Sequence, residues 1–600
     1  LYLRIFYKHS PYGMSDLKQL SSKKWIIWTV GIVGGIVLLI LVASWLLPQF
    51  FKNQLDATLR KSVYEASDGL YSIEYDNLGI NILLGNAEVS GVVLKSDSAV
   101  YKRLVEQQKA PDQVASLQTN RLRLGGVSLW RLLLFKVLSI DEVVIDSPEI
   151  IVAVDKKPYN ENRPKKSPYE VINKVLNSIR IDHISLSSVN FTYANNNGEE
   201  SRKNHLEELY LDVSDFLLNE ETAQDSSRIL YSQQVKLRLK GLTLDAGSDL
   251  YTFTMEELEL SSRDSTIKVQ NVHYKPKHSK DQFGKAAAIS TDRYDLKFED
   301  LSARGVDVRR FLMKQQFFAR ALDIDKGLID VFRDRRYPDP KDSKMGKYPH
   351  QILKQAKFIV CLDTVRIKGT QVFYGEQSEQ TGLRGIVRFT GTQGTITNLT
   401  NDTATITKRR YCRVRAYTTF MGAGRLNAYF NFDMAADNGR FNCGGTMRNF
   451  KIQQINPITR ALAKASVESG NLDLLQFQIQ ANDQQSRITT QMRYNNLAVK
   501  VLKQDDESGK LEERSLLTNL LNGLIIKNNN PSGNNPPRVG EATVQREASD
   551  SFFNFIWQSI LTSIKSVVSG KADEKEKEKD TPEKDKEKDR KKGFFKRLFN

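Results

Sequence analysis

The sequence predicts a mainly β chain with short interspersed helices, arranged as one elongated, curved and twisted sheet behind an N-terminal transmembrane helix. Three observations carry this expectation. Segments such as "RLNAYFNFDM" alternate with a period of two, with Leu426, Ala428, Phe430, Phe432 and Met434 on one face and Arg425, Asn427, Tyr429, Asn431 and Asp433 on the other. A fourteen-residue pattern recurs as "SIDEVVIDSPEIIV" from Ser139, "RIDHISLSSVNFTY" from Arg180 and "CLDTVRIKGTQVFY" from Cys361. The run from Trp25 to Leu47 carries no charge.

Residues 1–24 precede that run. The first thirteen, "LYLRIFYKHSPYG", fit nothing downstream, and Met14 is read as the natural start. The 25–47 run would be roughly 35 Å long as a helix, enough to cross a bilayer. Backbone amides in lipid must be satisfied internally, which makes it a helix. Trp25, Trp28 and Trp45 lie near its ends, where amphipathic rings favour the headgroup layer. The run is too long for a cleaved signal peptide and no small-x-small site follows before Pro48, so it reads as an uncleaved signal anchor. Lysines flank both sides, so charge alone does not orient it. Gly31 and Gly35 form a GxxxG that arises easily by chance in so glycine-rich a helix.

The body, 48–505, reads mainly as strands with short helices between them, at "SPYEVINKVLNSI", "VRRFLMKQQFFARAL", "YPHQILKQAKF" and "NPITRALAKASVE". In the last, Asn456 suits an N-cap and Pro457 the first helical position. Within the recurrent unit the apolar parity slips by one residue. Ile184 and Leu186 have one parity, Val189, Phe191 and Tyr193 the other; Val365 and Ile367 are followed by Val372 and Tyr374. The slip would turn half of each strand to the wrong face unless a bulge or bend absorbs it. A fainter fourth copy, "ALDIDKGLIDVF", breaks at Lys326–Gly327. Unequal spacings exclude a strict short-period solenoid or a uniform propeller.

Residues 506–546 form a strand end and an Asn/Pro/Gly-rich linker. Then 547–570 shows helical spacing of Phe553, Ile556, Trp557, Ile560, Ile564, Val567 and Val568, with Asp550 or Ser551 suited to cap the start. This amphipathic helix could serve as a lid on the sheet or lie in a membrane interface. The tail 571–600 cannot bury anything along "KADEKEKEKDTPEKDKEKDRKK" and is expected to be a disordered tether. It ends in Phe594, Phe595, Lys596 and Arg597, a basic-aromatic group suited to an anionic bilayer surface.

Catalytic signatures are missing from the sequence. There is no GxSxG, Walker A loop, HExxH or clustered Cys/His, and His273 and His278 are scattered. Asp141, Asp182 and Asp363 recur at strand starts without paired acids or histidines, which points to structural roles. No catalytic residue, metal or cofactor is expected. Of the three cysteines, Cys412 and Cys443 could pair in an oxidising compartment, or all three could be small buried apolar residues. The net charge of +17 brings no RNA-binding signature with it, so nucleic acid is not an expected partner.

The anchor followed by "LDATLRKSV", the recurrent units, "VFYGEQSEQTGLRGIVRFTGTQGTITNLTND" and "INPITRALAKASVESGNLDLLQFQIQANDQQSRITTQMRYNNLAVKVL" together resemble the AsmA-like superfamily, in particular its shorter Gram-negative envelope members. The resemblance covers roughly residues 25–503 and contains no catalytic signature. It implies a single-pass bacterial inner-membrane protein with its bulk in the periplasm, shaped as a gutter whose apolar concave side holds phospholipid or other envelope lipid. Support of outer-membrane integrity would follow, and the alternative is an envelope scaffold that binds protein partners without a lipid path. A body of roughly 25 strands could extend on the order of 100 Å if the sheet is continuous. The helices look too few to roof it, so an open groove is expected, against the ordinary alternative of a filled core. Candidate lining residues are Ile184, Leu186, Phe191, Tyr193, Val365, Ile367, Leu426, Phe430 and Phe432. Phe553, Trp557, Ile560 and Ile564 are candidates for lid or membrane contact.

Overall fold

The computed structural model describes residues 60–569 apart from short stretches at 62, 65–66, 82–84, 161–168, 170–171, 174–175, 197–201, 223–224, 226, 246–249, 341–342, 505–510, 514–519 and 522–523. The expected anchor with Trp25, Trp28 and Trp45, and the tail with Phe594, Phe595, Lys596 and Arg597, lie outside the described residues. Among those described, no helix is long and apolar enough to cross a membrane.

One long curved sheet dominates the molecule. Its N-terminal strands are β1 (Tyr71–Glu74), β2 (Asn77–Asn81), β3 (Asn86–Ser96), β4 (Gln113–Gly125), β5 (Val137–Asp146), β6 (Glu149–Val154), β7 (Ser178–Asn195) and β8 (Arg202–Leu218). The middle comprises β9 (Gln234–Asp245), β10 (Tyr251–Ser261), β11 (Thr266–Pro276), β12 (Asp292–Arg304), β13 (Gln316–Asp334), β14 (Ile359–Gln377) and β15 (Arg384–Thr400). Then follow β16 (Tyr411–Phe420), β17 (Gly424–Asp433), β18 (Phe441–Lys451), β19 (Ala465–Ala481) and β20 (Gln485–Gln504). The short β21 (Leu511–Glu513) extends β20, β22 (Leu520–Leu521) and β23 (Leu524–Ile525) form a separate hairpin, and β24 (Val539–Gln545) pairs with β20.

Connectivity is almost that of a simple meander. β1 and β2 share one edge of β3, and β5 with β6 share one edge of β4. From β7 onward each strand to β20 pairs with the next in sequence, and β24 adds the last rung. Consecutive pairing needs only tight turns, and the antiparallel ladder follows from that. Two steps differ. β5 and β6 pair parallel with β7, and β13 pairs parallel with β14. These are the four copies of the recurrent unit, joined two by two. Ser139 stands opposite Arg180 and Ile150 opposite Phe191; Leu322 opposite Val365 and Ile329 opposite Val372.

The parity slip in the unit is absorbed at single residues in the left-handed region. Ser147 (φ 49°), Ser188 (φ 51°), Lys326 (φ 52°) and Gly369 (φ 67°) sit at the four breaks. Each lets the strand bend so that both halves keep their apolar side chains on one face. Accordingly Val143, Ile145, Ile150, Val152 and Val154 all join one core cluster. The device spreads to strands without the repeat, where Gly91, Glu208, Gly241, Asn271 and Gly391 also have positive φ at matching register. A continuous crease therefore crosses the sheet from β3 to β15, the bend expected from the sequence.

Helices close the strand ends and cover parts of the apolar face. α1 (Ser98–Glu106) is capped by Asp97, whose carboxylate accepts from Ala99 N at 2.7 Å. α2 (Leu129–Phe135), α3 (Lys280–Ala287), α4 (Val308–Lys314), α5 (Pro349–Gln355), α6 (Thr403–Lys408), α7 (Asn456–Ala463) and α8 (Phe552–Ser569) follow. The expected helix "VRRFLMKQQFFARAL" stops after its first half. Gln315 turns left-handed (φ 56°) and Gln316 begins β13, because Phe317, Ala319 and Ala321 alternate into the core. α7 forms as expected, but Asn456 is its first residue, since a 3-10 turn at Ile452–Ile455 runs directly into it. Asn456 instead braces the following strand, accepting from Val467 N at 2.8 Å. The linker expectation for 506–546 is also corrected, since Val539–Gln545 supplies the final strand.

α8 is a lid rather than a helix with a free apolar face. Phe552, Phe555, Ile556, Ile560 and Val567 are buried against β20 and β24. Ser563 Oγ donates to Gly540 O at 3.1 Å, and Arg538 Nε donates to Val567 O at 2.8 Å. Gly540 permits this close approach, since a Cβ there would meet the Ser563 carbonyl. Ser551 is the cap, with its Oγ 3.3 Å from Asn554 N.

Candidate functional site

The sheet's registers assemble an apolar row along its whole length. Leu78, Val89, Leu122, Ile145, Leu186, Leu211, Leu237, Leu260, Ile267, Ala303, Leu322, Val365, Ile396, Val414, Phe430, Cys443, Ile479, Ile488 and Ala542 are successive cross-strand partners. At ~4.8 Å per step this row is on the order of 85 Å long.

Its two ends are sealed. Leu78 to Ile145 are buried in a cluster that includes Leu104 of α1, and Cys443 to Ile488 lie beneath α8. α4 and the turn before it cover Leu260 to Val365 with Val306, Val308, Phe311 and Leu312. The expectation of too few helices is thus corrected for these parts. Between the covers, Leu186, Leu211 and Leu237, and again Ile396, Val414 and Phe430, are only half-buried.

A second row lies closer to the crease and is more open. Leu209, Leu239, Leu258, Val269, Leu301, Ile324 and Ile367 are successive partners from β8 to β14. All but Leu239 are half-buried. This stretch is ~29 Å long, about the ~30 Å that the acyl chains of both leaflets span in a bilayer. The opposite face of the same strands is charged and internally paired, with Arg238 2.9 Å from Glu259, Arg304 2.6 Å from Asp323 and Arg366 3.3 Å from Asp323. One face of the ribbon therefore suits water and the other does not.

The expected lining residues divide. Ile184, Leu186, Ile367, Leu426 and Phe430 are half-buried on the apolar face. Phe191, Tyr193, Val365 and Phe432 are buried and belong to packed clusters, so they do not line an open surface. Phe191 and Tyr193 lie beyond the crease, where β6 and β7 pack within the N-terminal core. Phe432 lies under Phe552 of the lid, their ring centroids 5.8 Å apart. Of the lid candidates, Ile560 is buried, Trp557 and Ile564 are half-buried, and Phe553 is exposed. Leu209, Leu258, Val269, Leu301 and Ile324 were not singled out by sequence. Their alternation is visible there, but their shared row depends on strand register.

Polar groups gather beyond the crease on β12, β13 and β14. Arg333 lies 2.7 Å from Asp292, Tyr294 OH donates to Asp292 Oδ2 at 3.1 Å, and Tyr374 OH donates to Glu376 at 2.9 Å. Burial alone would raise the Asp292 pKa, but Arg333 and Lys344 outweigh it and hold it below the usual carboxylate range. Burial, helped by Arg333, pushes Lys344 down to about 8. Asp292 and Arg333 thus balance each other's charge. On the opposite face of β16–β19 lies a depression of about 330 Å³ lined by Arg413, Arg415, Tyr417, Tyr429, Phe477 and Gln478, among others.

Two of the three recurrent aspartates are paired with arginines. Asp182 is 2.9 Å from Arg180 and Asp363 is 2.6 Å from Arg409, both at exposed sites. His273 lies 2.8 Å from Asp295. No group of three His, Cys, Asp or Glu able to hold a metal occurs among the described residues. Cys361, Cys412 and Cys443 are free and buried, which removes the Cys412–Cys443 pairing in favour of the packing alternative. Burial pushes the Cys412 and Cys443 thiols up to about 12.

The chain matches no known protein-family model, and no curated protein matches it.

Proposed function

We propose that this protein binds acyl chains along the apolar rows of its sheet and serves as an envelope lipid carrier, anchored in the bacterial inner membrane through residues 25–47 with its body in the periplasm. The half-buried row from Leu209 to Ile367 carries the reading. Apolar side chains left partly in water gain about 0.8 kcal/mol for each methylene group laid against them, and no polar partner is needed along the row. The mechanism is passive. Leucine, isoleucine and valine side chains replace the bilayer around the chain, and the headgroup stays in water. The resemblance to AsmA-like proteins points the same way, as does the gutter shape that resemblance implies. No catalytic step is part of the proposal.

The test is lipid uptake by the full-length protein purified in detergent. Phospholipid should co-purify and be detectable by mass spectrometry. Leu258→Glu with Ile324→Glu should abolish uptake of a fluorescent phospholipid while leaving far-ultraviolet circular dichroism unchanged. Full uptake by that folded double variant would refute the assignment.

A second reading is supported by the open sheet. Among the described residues β24 pairs only with β20, which leaves a strand edge able to add a partner's strand. A scaffold of this kind would yield protein crosslinks at Val539–Gln545 and no lipid.

A further inference from the structure

We propose that α2 is a membrane-docking element that seats the N-terminal end of the sheet on an anionic bilayer surface. The evidence for it is independent of the apolar rows, so the inference goes beyond lipid carriage.

Among the described residues only nine large hydrophobic side chains are exposed, and three of them belong to this one seven-residue helix. Trp130 is 74% exposed, Leu134 69% and Phe135 61%. Such a concentration is unfavourable on a surface that meets only water. The helix is nonetheless held in place. Leu132 is buried in the N-terminal core, Ser128 N donates to Ser139 O at 2.9 Å, and Asn177 Nδ2 donates to Phe135 O at 2.9 Å. Lys136 ends the helix in the left-handed region (φ 53°), and its carbonyl accepts from Asn177 N at 2.8 Å. Both ends are thus tied to the sheet, and the three apolar side chains stay outside.

Two observations select a bilayer as the occupant. The first is charge. Arg131 and Lys136 flank the apolar side chains, and no acidic residue occurs between Gly125 and Asp141. An aromatic-aliphatic tip with two cations on the same helix matches the chemistry of an anionic headgroup layer, while the nearest acids, Asp141 and Glu142, lie back at the Gly125–Gly126 turn. The second is tethering. The uncharged run ends at Leu47, and only 48–59 separate it from Arg60, where the described chain begins. Fully extended, those residues reach at most ~40 Å. Arg60 itself lies against β1, with its guanidinium 5.1 Å from the Tyr75 ring, two rungs from β4, the strand that leads into α2. If the run spans a bilayer, α2 is kept near the same surface, where a weakly binding tip gains from effective concentration.

The experiment uses the full chain reconstituted into vesicles of phosphatidylethanolamine and phosphatidylglycerol with brominated acyl chains. Trp25, Trp28, Trp45 and Trp557 are replaced by Phe so that Trp130 reports alone. The expected result is several-fold quenching of Trp130 by the brominated lipid and little quenching by aqueous iodide. Because Trp557→Phe disturbs α8, a second protein with all native tryptophans carries Leu134→Cys labelled with an environment-sensitive fluorophore, the three native cysteines being buried. Its emission should shift to the blue on reconstitution, and less so in vesicles lacking phosphatidylglycerol. Iodide quenching without bromine quenching, together with an unshifted label, would overturn the proposal, as would a label protected by a protein partner in lipid-free solution. Trp130→Glu with Leu134→Glu should lose docking yet still co-purify with lipid, so a failed carrier reading and a failed docking reading give different results.

Discussion

Acidification should loosen the C-terminal lid through one residue, His350. It sits on α5 with 3% of its surface exposed, its ring centroid 4.9 Å from Phe432 and 6.0 Å from Tyr348. Phe441 and Phe552 of the lid complete the cluster around Tyr348. Burial, reinforced by Lys354 and only partly opposed by Asp433, lowers its pKa from 6.5 to about 4. The folded state therefore keeps the imidazole neutral where the unfolded chain would already bind a proton. This contribution to stability is fully present above pH 6.5 and is lost as the pH falls towards about 4. At most it is about 3 kcal/mol, and between about pH 7.5 and about pH 4.5 roughly 2.5 kcal/mol should disappear. The assay is urea unfolding followed through Trp557, with the other tryptophans replaced, for the parent and for His350→Phe. Other buried groups titrate in both proteins, so the difference between them isolates His350. The parent should lose about 2.5 kcal/mol more than the variant over that interval. Equal losses would show that His350 is accessible to protons in the folded state, and the aromatic seal would be wrong.

The lid itself is tested by Phe555→Ala, which empties a fully buried site at 0% exposure and should cost about 3–5 kcal/mol, read as a lower urea midpoint and faster proteolysis of α8. Gly369→Val places a β-branched residue at φ 67° with open space around it, so backbone strain alone should destabilise by about 1–2 kcal/mol; an unchanged midpoint would show that the crease is not held at that angle. The native protein should not react with a thiol reagent, and all three cysteines should react in denaturant; one reactive thiol per denatured, unreduced chain would reveal a disulfide.

The crease shows how far sequence reasoning reaches. The parity change around Ser188 and Gly369 is local information, because side-chain direction alternates with every residue and one apolar face must stay together. That the four copies would join as two parallel pairs is not local. Parallel partners require a crossover whose path no residue in the strands specifies. The lid was partly legible as well. The spacing of Phe553, Trp557, Ile560 and Ile564 marks a helix with an apolar stripe, yet the same stripe suits a bilayer or a sheet. Only the close approach at Gly540 and the bonds from Arg538 and Ser563 decide between them. The strand Val539–Gln545 escaped notice because its pattern is short and follows a stretch rich in Asn, Pro and Gly.

From its residue order alone, this protein is a β-rich ribbon with one apolar face, bent at defined points and preceded by a run, 25–47, that carries no charge. Those properties depend on neighbours in the chain, through alternation, backbone conformation and charge. Which apolar residues stay half in water was settled by tertiary structure. Burial depends on what lies across the sheet and above it, so Phe191, Tyr193, Val365 and Phe432 went into packed clusters while Leu258, Val269 and Ile324 stayed half-buried at the margin of one.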